Sequence, residues 1–152
     1  MKSILAVLLV ALAAFGCANE EKAPPPKVAC KSAPAELETR DLAPGTGDTV
    51  RFRTAVLVSY TGWLYDGCAP DLKGKMFDTS EGKPTPFGFI VGAGRVIRGW
   101  DEGLIGMKEG GKRLLVIPAA KGYGDRGVPG KIPPNSPLVF EVQVVKIIQQ
   151  PQ

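Results

Sequence analysis

The 152-residue sequence predicts an α+β domain in which a curved antiparallel β-sheet wraps around one short α-helix. Two stretches alternate residues between two sides, as strands do. A stretch between them repeats its apolar residues at helical spacing. The 19 glycines and 14 prolines indicate many turns between short elements.

Residues 1–16 have the pattern of a secretory signal peptide. Lys2 supplies a positive charge, and residues 4–15 form an uninterrupted apolar run. This run is shorter than the roughly 20 residues that span a bilayer, but it fits the apolar region of a signal, about 7–15 residues. A buried N-terminal helix is the alternative interpretation.

Cys17 follows Ala14, Phe15 and Gly16, and this segment resembles a bacterial lipoprotein signal, in which the cysteine is lipidated and becomes the new N-terminus. Ala14 stands where leucine is usual and Phe15 is bulky for its position, so plain cleavage is the alternative. We predict lipid attachment at Cys17. The signal peptide predicts secretion across the inner membrane, and Ala18, rather than an aspartate, after the cysteine favours anchoring at the periplasmic face of the outer membrane.

Residues 17–35 are predicted to be a Pro-rich tether. The segment is mostly polar and carries three consecutive prolines at positions 24–26, which favours an extended spacer without a core. With Cys17 lipidated, Cys30 and Cys68 remain as an even pair of cysteines. In an oxidising compartment we expect these two to form a disulfide. Two unrelated free thiols are the alternative.

Residues 36–149 are predicted to be the folded domain, with three recognisable strands. The first has a period-2 pattern that we expect to end at Thr61–Gly62. The second is the apolar run 114–117, which stops at Pro118. The third, over residues 138–145, has an inner and an outer face. The patterned residues are Val56, Val58 and Tyr60 in the first strand, and Leu138, Phe140, Val142 and Val144 against Val139, Glu141, Gln143 and Val145 in the third.

One short amphipathic helix is predicted between the strands. Its apolar residues recur at intervals of three or four, and glycines at positions 106 and 110–111 lie near its expected end. The apolar positions are Ile97, Trp100, Leu104 and Met107.

Composition excludes several classes of function. Without any histidine, serine–histidine and cysteine–histidine nucleophilic sites cannot be assembled, and the commonest metal ligand is missing. Three scattered cysteines do not make a zinc site, so we expect neither metal nor cofactor. A net charge of +4 with interspersed acids gives little reason to expect a nucleic-acid partner.

Seven short segments, in order over roughly residues 36–149, resemble the FKBP family of macrolide-binding peptidyl-prolyl cis–trans isomerases. Any one of them alone is a weak signal, but the ordered set is highly specific. The segments are 58–62, 77–80, 86–89, 96–103, 122–124, 132–136 and 138–140.

The resemblance implies an aromatic pocket with Trp100 as the floor under a proline ring. It further implies that the N–H of Ile97 and the hydroxyl of Tyr123 donate to substrate carbonyls, and that Asp78 is set against Tyr60. The alternative for each aromatic is plain core packing, to which we assign Phe89 in part. The implied catalytic residues are Tyr60, Asp78, Trp100 and Tyr123; the implied substrate-binding residues are Phe77, Phe87, Val96, Ile97, Ile132 and Phe140.

Some positions depart from the family pattern. Val128 and Lys131 lie in the segment 123–132, the flap over the implied pocket. Lys83 stands where an arginine is common, and residues 68–74 are extra compared with compact members. These departures concern substrate preference and macrolide affinity rather than the chemistry.

The resemblance therefore implies an enzyme that accelerates rotation about X–Pro bonds in exported proteins, without covalent catalysis. A proline-recognising binding or holdase module with incidental isomerase activity is the alternative. The expected partners are proline-containing polypeptides, with macrolides as candidate inhibitors, and we expect a monomer.

Overall fold

The computed structural model describes residues 29–148. The predicted signal peptide, Cys17 and residue 149 lie outside the described residues. Among residues 29–148, no helix is both long and apolar enough to cross a membrane.

Within residues 29–148, six antiparallel strands form one curved sheet around a single short helix, which confirms the predicted fold class. The strand order is β1-β5-β6-β2-β3, and β4 pairs with the first half of β2. The strands are β1 (Glu38–Ala43), β2 (Ala55–Tyr65), β3 (Lys73–Thr79), β4 (Phe87–Ile90), β5 (Lys112–Ile117) and β6 (Leu138–Ile148); the helix is α1 (Arg98–Gly103), and a 3₁₀ turn spans Ala119–Lys121.

Two glycines let α1 approach the inner face of β5 closely. A Cβ on Gly99 would lie 2.6 Å from side-chain atoms of Ile117, and one on Gly103 would lie 2.8 Å from Leu115. The C-terminal end of the helix is held by Arg113 of β5, whose guanidinium donates to the carbonyl of Gly103 at 2.8 Å. The helix that carries Trp100 is therefore fixed against the sheet.

The inner residues predicted for β6 are all buried in the main core, with Val56 and Val58 of β2. The predicted end of β2 at Thr61–Gly62 was wrong, because the strand continues to Tyr65. Gly62 does not break the strand but makes room for aromatic rings. A Cβ there would lie 2.6 Å from the ring of Phe140 and 2.8 Å from that of Phe77.

The helix is shorter than the apolar pattern predicted. Ile97 is its N-cap and Leu104 its C-cap, while Met107 lies beyond its end. Leu104 and Met107 are nevertheless buried in the main core. Part of the helical spacing in the sequence therefore belongs to the turn after the helix, whose apolar side chains pack into the same core as those of the helix.

The outer face of the sheet carries a second, smaller core that the alternation did not predict. Leu114, Val116 and Val139 are buried there, with Tyr65 and Leu72 packed against them. Val139 was assigned to the outer face and does lie there, but it is fully buried.

The end of the predicted tether is attached to the outer side of the domain. The structure joins Cys30 and Cys68 in a disulfide, as expected for the even pair. Next to it, the N–H of Lys31 donates to the carbonyl of Gly67 at 2.8 Å. The hydroxyl of Tyr65 donates to the carbonyls of Lys31 and Ser32. At least residues 30–32 therefore belong to the folded unit.

Candidate active site

A hollow of about 170 Å³ opens between the inner face of the sheet, α1 and the start of the flap. Nine of the residues implied by the sequence resemblance line it, together with one that was not predicted, Arg95. The lining residues are Tyr60, Phe77, Asp78, Phe87, Arg95, Val96, Ile97, Trp100, Tyr123 and Phe140.

Trp100 lies at the centre of an aromatic cluster and is 5% exposed. Its ring centroid lies 5.0 Å from that of Tyr60 and 5.3 Å from that of Phe140, both in edge-to-face geometry. Phe87 and Phe89 pack on it from β4, at 6.2 and 5.6 Å. Aromatic pairs at these distances stabilise one another beyond their buried area, so the walls of the hollow are preorganised.

A β-bulge aims two residues of β3 into the hollow. Gly62 pairs with Asp78 while Trp63 pairs with Met76, so Phe77 is the extra residue opposite Gly62. Bulges of this kind redirect side chains, often next to functional sites. Phe77 and Asp78, although adjacent in sequence, therefore both reach the same cavity.

Among the residues that the structure describes, Asp78 is the one carboxylate that lines the hollow. It accepts a hydrogen bond of 2.7 Å from the hydroxyl of Tyr60. Its other oxygen accepts from the N–H of Thr79 and lies 3.7 Å from the ammonium of Lys83. Lys83, which stands where an arginine is common in the family, thus lies near Asp78 as a half-exposed cation rather than as part of the wall.

Both tyrosines in the hollow have raised pKa values. Burial raises the pKa of Tyr60 well above its usual range, and the hydrogen bond to the Asp78 carboxylate adds to this effect. Burial and the charge of Asp78 likewise raise the pKa of Tyr123. Both hydroxyls therefore remain protonated hydrogen-bond donors at neutral pH.

The rim loop before α1 is held by a carboxylate. Asp101 accepts hydrogen bonds from the N–H groups of Gly92 at 2.7 Å and Gly94 at 3.0 Å. This fixes the loop that leads to Val96 and Ile97. Within residues 29–148 the N–H of Ile97 donates to no protein acceptor, so it is free to bind a ligand carbonyl.

Ile132, implied as a substrate-binding residue, lies outside the hollow. It is 4% exposed, packs in the main core and lines a neighbouring groove under the flap. Tyr123, at the start of the same flap, lines the hollow and is 39% exposed.

Arg95 was missed because a charged residue in a glycine-rich loop is typical of plain solvent exposure. The only sequence signal for it was its position directly before Val96 and Ile97, both implied as substrate-binding residues. The structure places it at the mouth of the hollow, where it adds a positive charge.

A comparison of the sequence with models of protein families supports the assignment suggested by the fold and the hollow. Residues 46–145 match the family model described as FKBP-type peptidyl-prolyl cis-trans isomerase, which is about two thirds of the chain. The chain belongs to the FKBP family. The resemblance inferred from seven short segments is thereby confirmed.

Known family members resemble the chain in sequence and in structure. An FK506-binding protein of Neisseria meningitidis serogroup A is 45% identical over 74% of this chain and 97% of its own length. The human peptidyl-prolyl cis-trans isomerase FKBP2 is 53% identical over 58% of this chain and 57% of its own. The crystal structure of a peptidyl-prolyl cis-trans isomerase from Pseudomonas syringae superimposes with a TM-score of 0.62 and 35% identity, covering 82% of this chain and 84% of that one.

Proposed function

We propose that this FKBP domain accelerates cis–trans rotation about X–Pro bonds in exported polypeptides, with the aromatic hollow as its active site. The observation that carries the proposal is the hollow itself, where Trp100 is surrounded by aromatic rings and Asp78 is fixed on Tyr60. A proline ring is apolar and flat-sided, so aromatic walls suit it.

The chemistry needs no nucleophile, because no covalent bond is broken. Amide resonance sets a barrier of roughly 18–20 kcal/mol, and uncatalysed X–Pro isomerisation takes about tens to hundreds of seconds. A twisted amide has lost this resonance, and its carbonyl oxygen carries less negative charge. An apolar hollow therefore disfavours the planar, more polar ground state relative to the twisted state, and an enzyme accelerates a reaction only through such differential binding.

Each polar group then has a role in orientation. Tyr123 and the N–H of Ile97 are the donors positioned for substrate carbonyls on either side of the rotating bond. Asp78, held by Tyr60, lines the hollow, and its carboxylate would interact with the carbonyl carbon of the twisted amide. Tyr60, Asp78, Trp100 and Tyr123 are thus the proposed catalytic residues, with Phe77, Phe87, Val96, Ile97 and Phe140 in substrate binding.

A protease-coupled assay on proline-containing peptides tests the function. We expect the purified protein to accelerate isomerisation, and a macrolide ligand that fills the hollow to inhibit it competitively. A pure binding or holdase module would bind the peptide without changing its isomerisation rate. That result would overturn the isomerase proposal.

We also propose that the protein is exported, lipidated at Cys17 and anchored as a monomer to the periplasmic face of the outer membrane. Lys2, the apolar run and Cys17 support export. The Cys30–Cys68 disulfide supports an oxidising compartment. Mass spectrometry of membrane-derived protein should find an N-terminus at Cys17 with added acyl mass, and Cys17→Ser should abolish it. A mature N-terminus elsewhere, without lipid, would contradict the lipid anchor. The molar mass measured by light scattering tests whether the protein is a monomer.

A further inference from the structure

A second groove lies beside the hollow, under the flap (residues 123–132). It has a volume of about 530 Å³ and is lined by both the flap and the inner side of the sheet. Leu64, Val128 and Pro133 contribute apolar surface, while three cations, Lys75, Arg126 and Lys131, also line it. In the described part of the chain, no aspartate or glutamate lines it. We refer to this feature as the flap groove.

The three cations are uncompensated. All three are exposed, and none of them forms an ion pair within residues 29–148. Other lysines behave differently: Lys73 and Lys121 each contact two carboxylates. Like charges collected in a cleft create a local positive potential that attracts an anionic group. Among residues 29–148, the cations of the flap groove therefore have no carboxylate paired with them.

The flap groove and the hollow are neighbours along the same elements. Phe77 lines the hollow and Lys75, two residues earlier on β3, lines the groove. Two residues of a strand span roughly 7 Å. On the flap, Tyr123 lines the hollow and Arg126 the groove. An extended polypeptide with its proline in the hollow thus places its second or third neighbouring residue at the cations.

The tip of the flap has a defined geometry. Val128 and Ile132 exchange two backbone hydrogen bonds of 2.8 Å, which close a tight loop over Pro129, Gly130 and Lys131. Gly130 has a φ of 76°, which a residue with a side chain rarely adopts. Because the backbone is fixed, presenting Lys131 to a ligand requires ordering of its side chain alone.

We propose that the flap groove recognises an acidic side chain, Asp or Glu, two or three residues from the proline that isomerises. The carboxylate would contact Lys75 and Lys131, and its aliphatic stem would pack on Leu64 and Val128. The inference rests on the proposed isomerase function and deepens it by naming the substrate class. Substrates with acidic residues close to proline are then preferred over neutral ones.

Peptide pairs that differ only in Glu or Gln test this preference. The two residues are compared at the second and third positions before the proline, and in a second set after it. On one side of the proline, kcat/KM for the Glu peptide should exceed that for its Gln analogue by about two- to fivefold, the range expected for exposed ion pairs. The advantage should shrink as salt is added.

Charge-neutralising variants locate the effect. In the double variant Lys75→Gln/Lys131→Gln the ratio of Glu to Gln rates should fall to about one. The double variant Lys108→Gln/Lys146→Gln is the matched control, because it removes the same two charges from exposed positions that line neither the hollow nor the flap groove. It should leave the ratio unchanged. Equal rates for Glu and Gln peptides on both sides of the proline, or a Glu advantage that survives the double variant, overturn the inference alone. Failure to turn over any peptide overturns the isomerase function, and the inference with it.

Discussion

The inner and outer faces of the sheet both bury apolar side chains, but they differ in whether their polar groups have hydrogen-bond or ion-pair partners. On the outer face, Glu141 forms ion pairs with Lys73 and Lys112, and Tyr65 donates to two carbonyls of the attached N-terminal segment. On the inner face, the indole N–H of Trp100 is buried without a hydrogen-bond partner in the described part of the chain, and the Tyr123 hydroxyl makes no hydrogen bond there.

This difference separates stability from function. A buried donor left without a partner lowers the free energy of unfolding by about 1–3 kcal/mol. The unpaired indole N–H of Trp100 therefore destabilises the inner face. The unpaired donors of the hollow can bind a ligand directly, whereas Glu141 and Tyr65 on the outer face would first have to give up an existing partner. We therefore expect variants of the outer face to change stability and variants of the inner face to change activity.

The disulfide beside the outer face should give the largest effect on stability. Cys30 and Cys68 are 38 residues apart, and the chain-entropy model gives about 3–4 kcal/mol for a loop of that size. The double variant Cys30→Ser/Cys68→Ser should lose about this much free energy of unfolding while kcat/KM changes less than about twofold. Denaturant unfolding and the peptide assay measure the two quantities. A large loss of activity in protein that is still folded would break the separation of the faces.

Removing the floor of the hollow should give the largest effect on activity. Trp100→Leu should lower kcat/KM by about tenfold or more, equivalent to about 1.4 kcal/mol of transition-state stabilisation, because the proline ring loses its aromatic contact. Circular dichroism and thermal unfolding check that the variant is folded.

The matched control is Trp63→Leu, on the same sheet but packed against the ammonium of Lys73 on the outer face. It should retain nearly full activity. Equal losses in Trp63→Leu and Trp100→Leu would show that the activity responds to stability alone.

Much of this comparison was predictable from the sequence, because period-2 alternation reports directly which side of a strand faces the core. The inner residues of β6 were predicted in this way, and their burial agrees. Gly62 could not be interpreted correctly, since its role depends on Phe77 and Phe140, whose rings reach it only in the folded sheet. The burial of Val139 depends on Tyr65 and Leu72 in the same way.

The site was predicted through motifs rather than through geometry. Spacing alone gives no reason for Phe77 and Asp78 to face the same cavity; the β-bulge opposite Gly62 brings them there. Arg95 lies in a loop whose path is set by hydrogen bonds from Gly92 and Gly94 to Asp101, which no periodicity reports.

The Tyr60–Asp78 hydrogen bond should give a smaller effect on activity. Tyr60→Phe and Asp78→Asn should each lower kcat/KM by about three- to tenfold, because the polar contact beside the rotating bond is lost or misplaced. The double variant should be little worse than either single one, since both remove the same interaction. Additive losses would contradict a shared role.

Tyr65→Phe is the outer-face control for Tyr60→Phe. It removes a hydroxyl that bonds the carbonyls of Lys31 and Ser32, so it should lower the free energy of unfolding by about 1 kcal/mol with activity intact. An activity loss that matches that of Tyr60→Phe would remove the distinction between the two tyrosines.

The smallest expected effect is the pH dependence of the stability that the ion pairs of Glu141 contribute. Burial alone would raise the pKa of Glu141, but hydrogen bonds from Lys112 and Lys73 outweigh it and lower the pKa. A lowered pKa stabilises the folded state above the ordinary value of 4.5, and this stabilisation is lost as the pH falls through the folded-state pKa. Glu141→Gln should therefore cost about 1 kcal/mol near neutral pH and progressively less in acid. A difference between the two proteins that does not depend on pH would contradict the ion-pair account.

The central claim is that proline binds the inner face and leaves the outer face untouched. Titrating an isotopically labelled sample with an X–Pro peptide and following backbone amide chemical shifts tests it most directly. The account predicts that the largest shifts cluster around Ile97, Trp100 and Tyr123, while amides of residues 112–116 on β5 and of Glu141 barely move. Shifts concentrated at the outer cluster, with the hollow unchanged at saturating peptide, would contradict it.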